Sequence, residues 1–236
     1  RDNTTGSSNV GLGYLALEEN TTGSNNTAVG FEALEENTTG SASTAVGYAA
    51  LSAATTGGQN SALGYLALQD VTTATGNTGI GYQAGKDITT GTNNTFIGNN
   101  SGIEQTTATD NTAVGHATLA ANTSGDGLVA VGSNTLDANT TGDNNTGIGR
   151  SALGANTTGA SNTAVGRQAL DANTTASFNT AIGASAGTAI TTGNDTTLVG
   201  FEAGKALTTA NENTAIGYRA LLSATTGGGN VVMGHS

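Results

Sequence analysis

His116 and His235 are the only histidines in the chain, and they set the first limit on its chemistry. Each follows a glycine at the same point of a repeat, 119 residues from the other, so the pair cannot share one site. There is no cysteine, which removes thiolate nucleophiles, disulfides and sulfur-ligated metals. Neither a Ser-His-Asp nor a Cys-His arrangement can be assembled, so catalysis would need two carboxylates in a cleft. The sequence predicts no enzyme, and no catalytic, cofactor-binding or metal-ligating residue is assigned.

The carboxylates cluster nonetheless. Glu18, Glu19, Glu35 and Glu36 fall in two successive repeats, and Asp70, Asp87 and Glu104 continue one column of them. Like charges at strand spacing repel. The cluster therefore reads either as a solvated edge or as oxygen ligands bridged by a divalent cation. Asn-Thr-Thr at positions 3, 20, 37, 139, 156 and 173 matches the glycosylation sequon, but a repeat of this composition produces that match freely.

Aromatic residues carry the more specific signal. Tyr14, Phe31, Tyr48, Tyr65 and Tyr82 occupy one column in consecutive repeats, and Phe201 and Tyr218 return to it. With Leu15 and Leu66 beside them they form a candidate contact stripe. Three roles are open to it: a subunit interface, a strip for a glycan or protein ligand, or simple ladder stacking. A column of Ala28, Ala45, Ala62, Gly79, Ala113 and Ala130, interrupted by Phe96 and Leu198, is expected to make a flat small-residue face.

The element that positions these columns is a 17-residue unit. An aliphatic residue followed by Gly recurs from Gly13, Gly30 and Gly47 through to Gly234 in unbroken steps of 17. Thr4, Thr21, Thr38 and their successors keep the same step, as does an Asn four residues before most anchor glycines. Seventeen residues are too few for helix-pair repeats. Thr27-Ala28-Val29-Gly30 suits a short strand, and Thr-Thr-Gly suits a corner. The predicted fold is all-β: a parallel β-solenoid, or β-roll, of about fourteen 17-residue coils, read as a single continuous domain over 1–236 and as a segment of a longer fibre.

Covariation supports a packed interior. Four residues after the anchor the column is usually Leu, as at Leu17, Leu34, Leu51 and Leu68. Where Gly85, Gly187 or Gly204 stands there instead, Ile88, Ile190 or Leu207 follows three residues later. One side chain replaces another in the same volume. Gly102 followed by Gln105 breaks this rule, and Val71 is an extra apolar residue beside Leu68. The Asn and Thr columns are expected to form hydrogen-bonded ladders between coils.

The run Leu128-Val129-Ala130-Val131-Gly132 resembles the head repeats of trimeric autotransporter adhesins. The fuller unit, Asn26 to Leu34 followed by Asn37-Thr38-Thr39-Gly40, is similar to repeats of bacterial and phage tail-fibre-like proteins. The resemblance covers essentially the whole chain. It implies a left-handed β-roll, trimerisation and an adhesive role; the unvarying 17-residue unit and the Thr-Thr-Gly corner differ from the adhesin heads.

Composition narrows the partners. A net charge of −11 with six Lys and Arg argues against nucleic acid and anionic membrane surfaces. No apolar run reaches the ~18–20 residues that span a bilayer. The expected function is a structural or adhesive segment of an extracellular fibre or filament, at a cell or virion surface. Its expected partner is itself, as a trimer or filament, with a host-surface protein or glycan as a further contact. The alternatives are an ice-binding solenoid using its Thr ladders and a glycan-binding tail-fibre module. Against ice binding stands the adjacency of the regular Thr pair, which sends the two side chains to opposite sides.

Overall fold

The computed structural model describes residues 3–235; Arg1, Asp2 and Ser236 lie outside them. Among the described residues there is no helix, and hence none long and apolar enough to cross a membrane. The chain divides into two compact units, Arg1–His116 and Ala117–Ser236. The first holds seven three-residue strands, β1 (Val10–Leu12), β2 (Thr27–Val29), β3 (Thr44–Val46), β4 (Ser61–Leu63), β5 (Thr78–Ile80), β6 (Thr95–Ile97) and β7 (Thr112–Val114). The second holds β8 (Val129–Val131), β9 (Thr146–Ile148), β10 (Thr163–Val165), β11 (Thr180–Ile182), β12 (Thr197–Val199), β13 (Thr214–Ile216) and β14 (Val231–Met233).

Within each unit the strands pair in parallel and in chain order, every residue opposite its equivalent 17 positions on, as in Thr27↔Thr44 and Thr163↔Thr180. Each unit is thus a parallel β-solenoid. The backbone bonding is not confined to the strands. Glu32 N donates to Tyr14 O at 2.9 Å, Leu34 N to Ala50 O at 3.1 Å and Glu36 N to Ser52 O at 3.0 Å, so bonds between coils run around much of the perimeter.

The coil closes through left-handed backbone. The anchor glycines hold φ between +127° and +146°, a region open essentially to glycine alone. Two residues further on, Glu32 has φ 55°, and two beyond that Leu34 has φ 51°. A fourth such position precedes the strand, at Asn25 with φ 60°. The sharp turns bring the leucines inward: Leu34, Leu51, Leu68, Leu119, Leu136, Leu153 and Leu170 are fully buried.

The Ala column corrects the expectation of a flat outer face. Ala28, Ala45, Ala113 and Ala130 are 0% exposed, and Ala62 is 2%. From β2 to β13 the middle residue of each strand points into the coil, while the residue before it, mostly Thr, and the aliphatic residue after it point outward. Phe96 and Leu198, which break the Ala column, are therefore core residues, both fully buried. They fill the volume that the leucine column vacates. A Cβ at Gly85 or Gly102 would lie 2.5 Å from the Phe96 ring, and one at Gly187 or Gly204 would lie 2.7 or 2.6 Å from a methyl carbon of Leu198. Ile88, Ile190 and Leu207 complete the fill and are fully buried, as predicted. Gln105 is buried too, its Oε1 accepting from Asn111 Nδ2 at 3.2 Å while its Nε2 has no partner.

Buried amides tie coil to coil. Asn26 Oδ1 accepts from Ser43 N at 2.9 Å, and its Nδ2 donates to Gly40 O at 2.8 Å. A second ladder runs through the corner: Asn37 Nδ2 donates to Asn20 Oδ1 at 2.7 Å and to Gly40 O at 3.1 Å. That ladder stops where the next coil has Ala54, and Asn37 Oδ1 is left unpaired. In the Thr-Thr corner, Thr38 O accepts from the backbone of Thr21, Thr22 and Gly23 and from Thr21 Oγ1 at 2.8 Å. Apart from Asn37 Oδ1, these polar groups are satisfied, and they hold the register of everything outside them.

Candidate contact surface

The corner ladders decide what is left for function. Asn20, Asn37, Asn139, Asn156 and Asn173, the sequon asparagines after the first, are 1% exposed or less and spend their amides on the ladder. A glycosyl donor cannot reach them in the folded chain. The first threonine of each corner pair is committed as well: the hydroxyls of Thr21, Thr38, Thr140, Thr157 and Thr174 each donate to a carbonyl of the next coil.

In the first unit two exposed columns run in parallel. One is aliphatic, with Leu12, Leu63, Ile80 and Ile97 exposed and Val29 and Val46 partly so. The other, beyond the anchor glycine, is the aromatic column. Tyr14, Phe31, Tyr48, Tyr65 and Tyr82 are all exposed, and successive rings stack at centroid distances of 5.1–5.3 Å with interplanar angles of 4–20°. Leu15 and Leu66 are half-buried beside it.

The stacking has a chemical consequence. Each interior ring covers both faces of itself with its neighbours and turns only its edge to solvent. A sugar stacks on an aromatic face, so the interior rungs offer it none. In the second unit the column is shorter: Phe201, Tyr218 and His235 stack at 5.4 and 4.9 Å. Arg219 lies over Tyr218, 5.1 Å from its centroid, and donates through Nε to Glu202 at 2.7 Å, which also pairs with Lys205 at 2.6 Å. The hydrogen bonds from Lys205 and Arg219 hold the Glu202 carboxyl below its ordinary range.

The acidic clusters are partly relieved by a lysine. Lys86 Nζ lies 2.5 Å from Asp87 and 3.8 Å from Asp70, a cation that the reading of the acidic column had left out. Glu35 has no such neighbour. Burial, and then the charges of Glu32, Glu18, Glu36 and Glu19, push its carboxyl up. Asp137 and Asp171 flank Gly154 in a shallow open depression with Asn134, Ser151 and Thr188. Burial raises Asp171 against the opposing hydrogen bond from Gln168, and the Asp137 charge adds to the rise. Among the described residues no three His, Cys, Asp or Glu side chains are grouped so as to hold a metal ion.

No protein-family model, no curated protein and no solved structure matches the chain.

Proposed function

We propose that the chain is a structural and adhesive segment of a fibre at a cell or virion surface, self-associating and without a catalytic role. The supporting observation is the apolar stripe of the first unit. In a chain of net charge −11, an exposed aliphatic column and an exposed aromatic column run side by side through five successive coils. Contiguous apolar surface of that kind marks a contact face. The ladders behind it make a stiff support, since the buried amides and corner hydroxyls bond from one coil to the next. The autotransporter-head and tail-fibre resemblance points the same way and suggests a trimer.

Light scattering on dilute protein tests this reading. The native mass is expected at a multiple of the chain mass of 22.9 kDa, and Tyr48→Lys with Val46→Lys is expected to return it to the monomer. A wild-type chain that stays monomeric at high concentration would remove self-association. Of the other readings, the glycan strip loses support from the covered ring faces.

A further inference from the structure

The first threonine of each corner pair cannot order water, because its hydroxyl is used within the protein, and the second stands on a bend rather than on a strand face. A different Thr column can. In the second unit Thr146, Thr163, Thr180, Thr197 and Thr214 open five successive strands and pair in exact register. Each points outward and is partly exposed, and none of their hydroxyls has a partner among the described residues. Two residues along each strand stands Ile148, Val165, Ile182, Val199 or Ile216, also outward. No charged residue occurs in these strands, although the chain carries −11.

From this geometry we infer that the outer face of β9–β13 binds ice. Its hydroxyls repeat at about 4.8 Å along the stack, with an apolar column about 7 Å away across the strand. Water over the apolar column keeps its bonds to other water, and the free hydroxyls anchor that layer in register. The strands carry no charge, which suits a neutral water lattice; the exposed charges of the flanking columns, Arg150 and Arg167 beyond the anchor glycines and Asp195 and Glu212 before the strands, stand outside them. A protein partner fits less well. Dry burial would strand unpaired hydroxyls.

The experiment is ice-recrystallisation inhibition by the full chain, with thermal hysteresis as a second readout. Thr180→Lys, and the milder Thr180→Val that keeps the shape and deletes the hydroxyl, are expected to raise the concentration needed for inhibition by about tenfold. Thr175→Lys, at an exposed corner position, is expected to behave as wild type. Circular dichroism establishes that each variant is folded. A wild-type chain without effect on ice growth overturns the inference, as do Thr180 and Thr175 variants of equal potency. An oligomer that Thr180→Lys dissociates would assign the face to a second copy and overturn it too. The self-association test reads native mass through Tyr48 and Val46 in the first unit, so failure of either proposal is distinguishable from failure of the other.

Discussion

Gly47 packs so closely on Gly64 that the Cβ of an alanine at position 47 would overlap the Gly64 carbonyl oxygen. The same contact recurs along the anchor column of each unit, for instance between Gly30 and Gly47 or Gly183 and Gly200. Gly47 also has φ +141°, so the conformation and the close approach both exclude a side chain. The corner column differs. Gly40 is crowded by Gly57 O, but its φ is not in the left-handed region, and Ala74, Ala108, Ala176 and Ala210 stand at its equivalents.

Gly47→Ala is therefore expected to destabilise the first unit by about 3 kcal/mol or more, the sum of backbone strain and displaced coil contact. Gly40→Ala is expected to cost about 1 kcal/mol or less, because a small shift accommodates it elsewhere in the stack. Urea denaturation midpoints compare the two. Equal losses would show that the anchor φ contributes nothing.

Phe96 and Gly102 supply a second test. Phe96→Ala opens a cavity in a fully buried position and should cost about 3–5 kcal/mol. Gly102→Leu alone forces a side chain into the Phe96 ring, an overpacking cost of about 1–3 kcal/mol. Together the two changes recreate the Ala and Leu pairing of ordinary coils. The double variant should be more stable than the sum of the single losses by at least about 2 kcal/mol. Additive losses would mean that the two columns do not share a volume.

That pair also shows what the sequence disclosed and what it did not. The coil length, the strand position and the exchange of Leu for Ile between two columns were all readable, because a stacked fold repeats each environment every 17 residues. The direction of the strand was not. A three-residue strand alternates in either sense, and Ala beside Val suggested that the small side chain faced out. The contrary signal was present: Phe96 lies between Gly85 and Gly102, and Leu198 between Gly187 and Gly204, as only an inward column requires. The free hydroxyls of the strand-leading Thr column depend on that direction, and so they too became visible only in the structure. Lys86 between Asp70 and Asp87 was missed because the acidic column was read without its neighbour.

Phe178 holds a left-handed conformation with φ 61° while 64% exposed, so burial does little to offset its strain. Asn25, Asn93 and Asn144 occupy the equivalent position, where the short polar side chain tolerates this backbone. Phe178→Asn is expected to stabilise the second unit by about 1 kcal/mol. Leu153→Asn, equally left-handed at φ 54° but fully buried, should destabilise by about 2–4 kcal/mol. Thermal melts of the two variants should move in opposite directions; a lower melting temperature for Phe178→Asn would mean that its ring makes a contact outweighing the strain.

Stability should rise on mild acidification, against the usual behaviour of paired carboxylates. Burial raises Glu35, Asp70 and Asp171; like-charged neighbours add to each, while Lys86 opposes the rise at Asp70 and the Gln168 hydrogen bond opposes it at Asp171. For a raised carboxyl the folded state binds more protons than the unfolded state between the two pKa values. Its contribution to stability is therefore fully present below the ordinary carboxylate range of about 4 and is lost as pH climbs through the raised value. Glu202, held low by Lys205 and Arg219, works in the opposite sense, and its contribution disappears only as pH falls below the ordinary range. The melting temperature should thus increase as pH drops from 7 towards about 4.5 and fall again in stronger acid. Glu35→Gln removes one raised carboxyl and relieves Glu18, Glu19, Glu32 and Glu36 of its charge. It should raise the melting temperature at pH 7 and flatten the gain on acidification, whereas an unchanged pH profile would show that the clustered glutamates are fully screened by solvent.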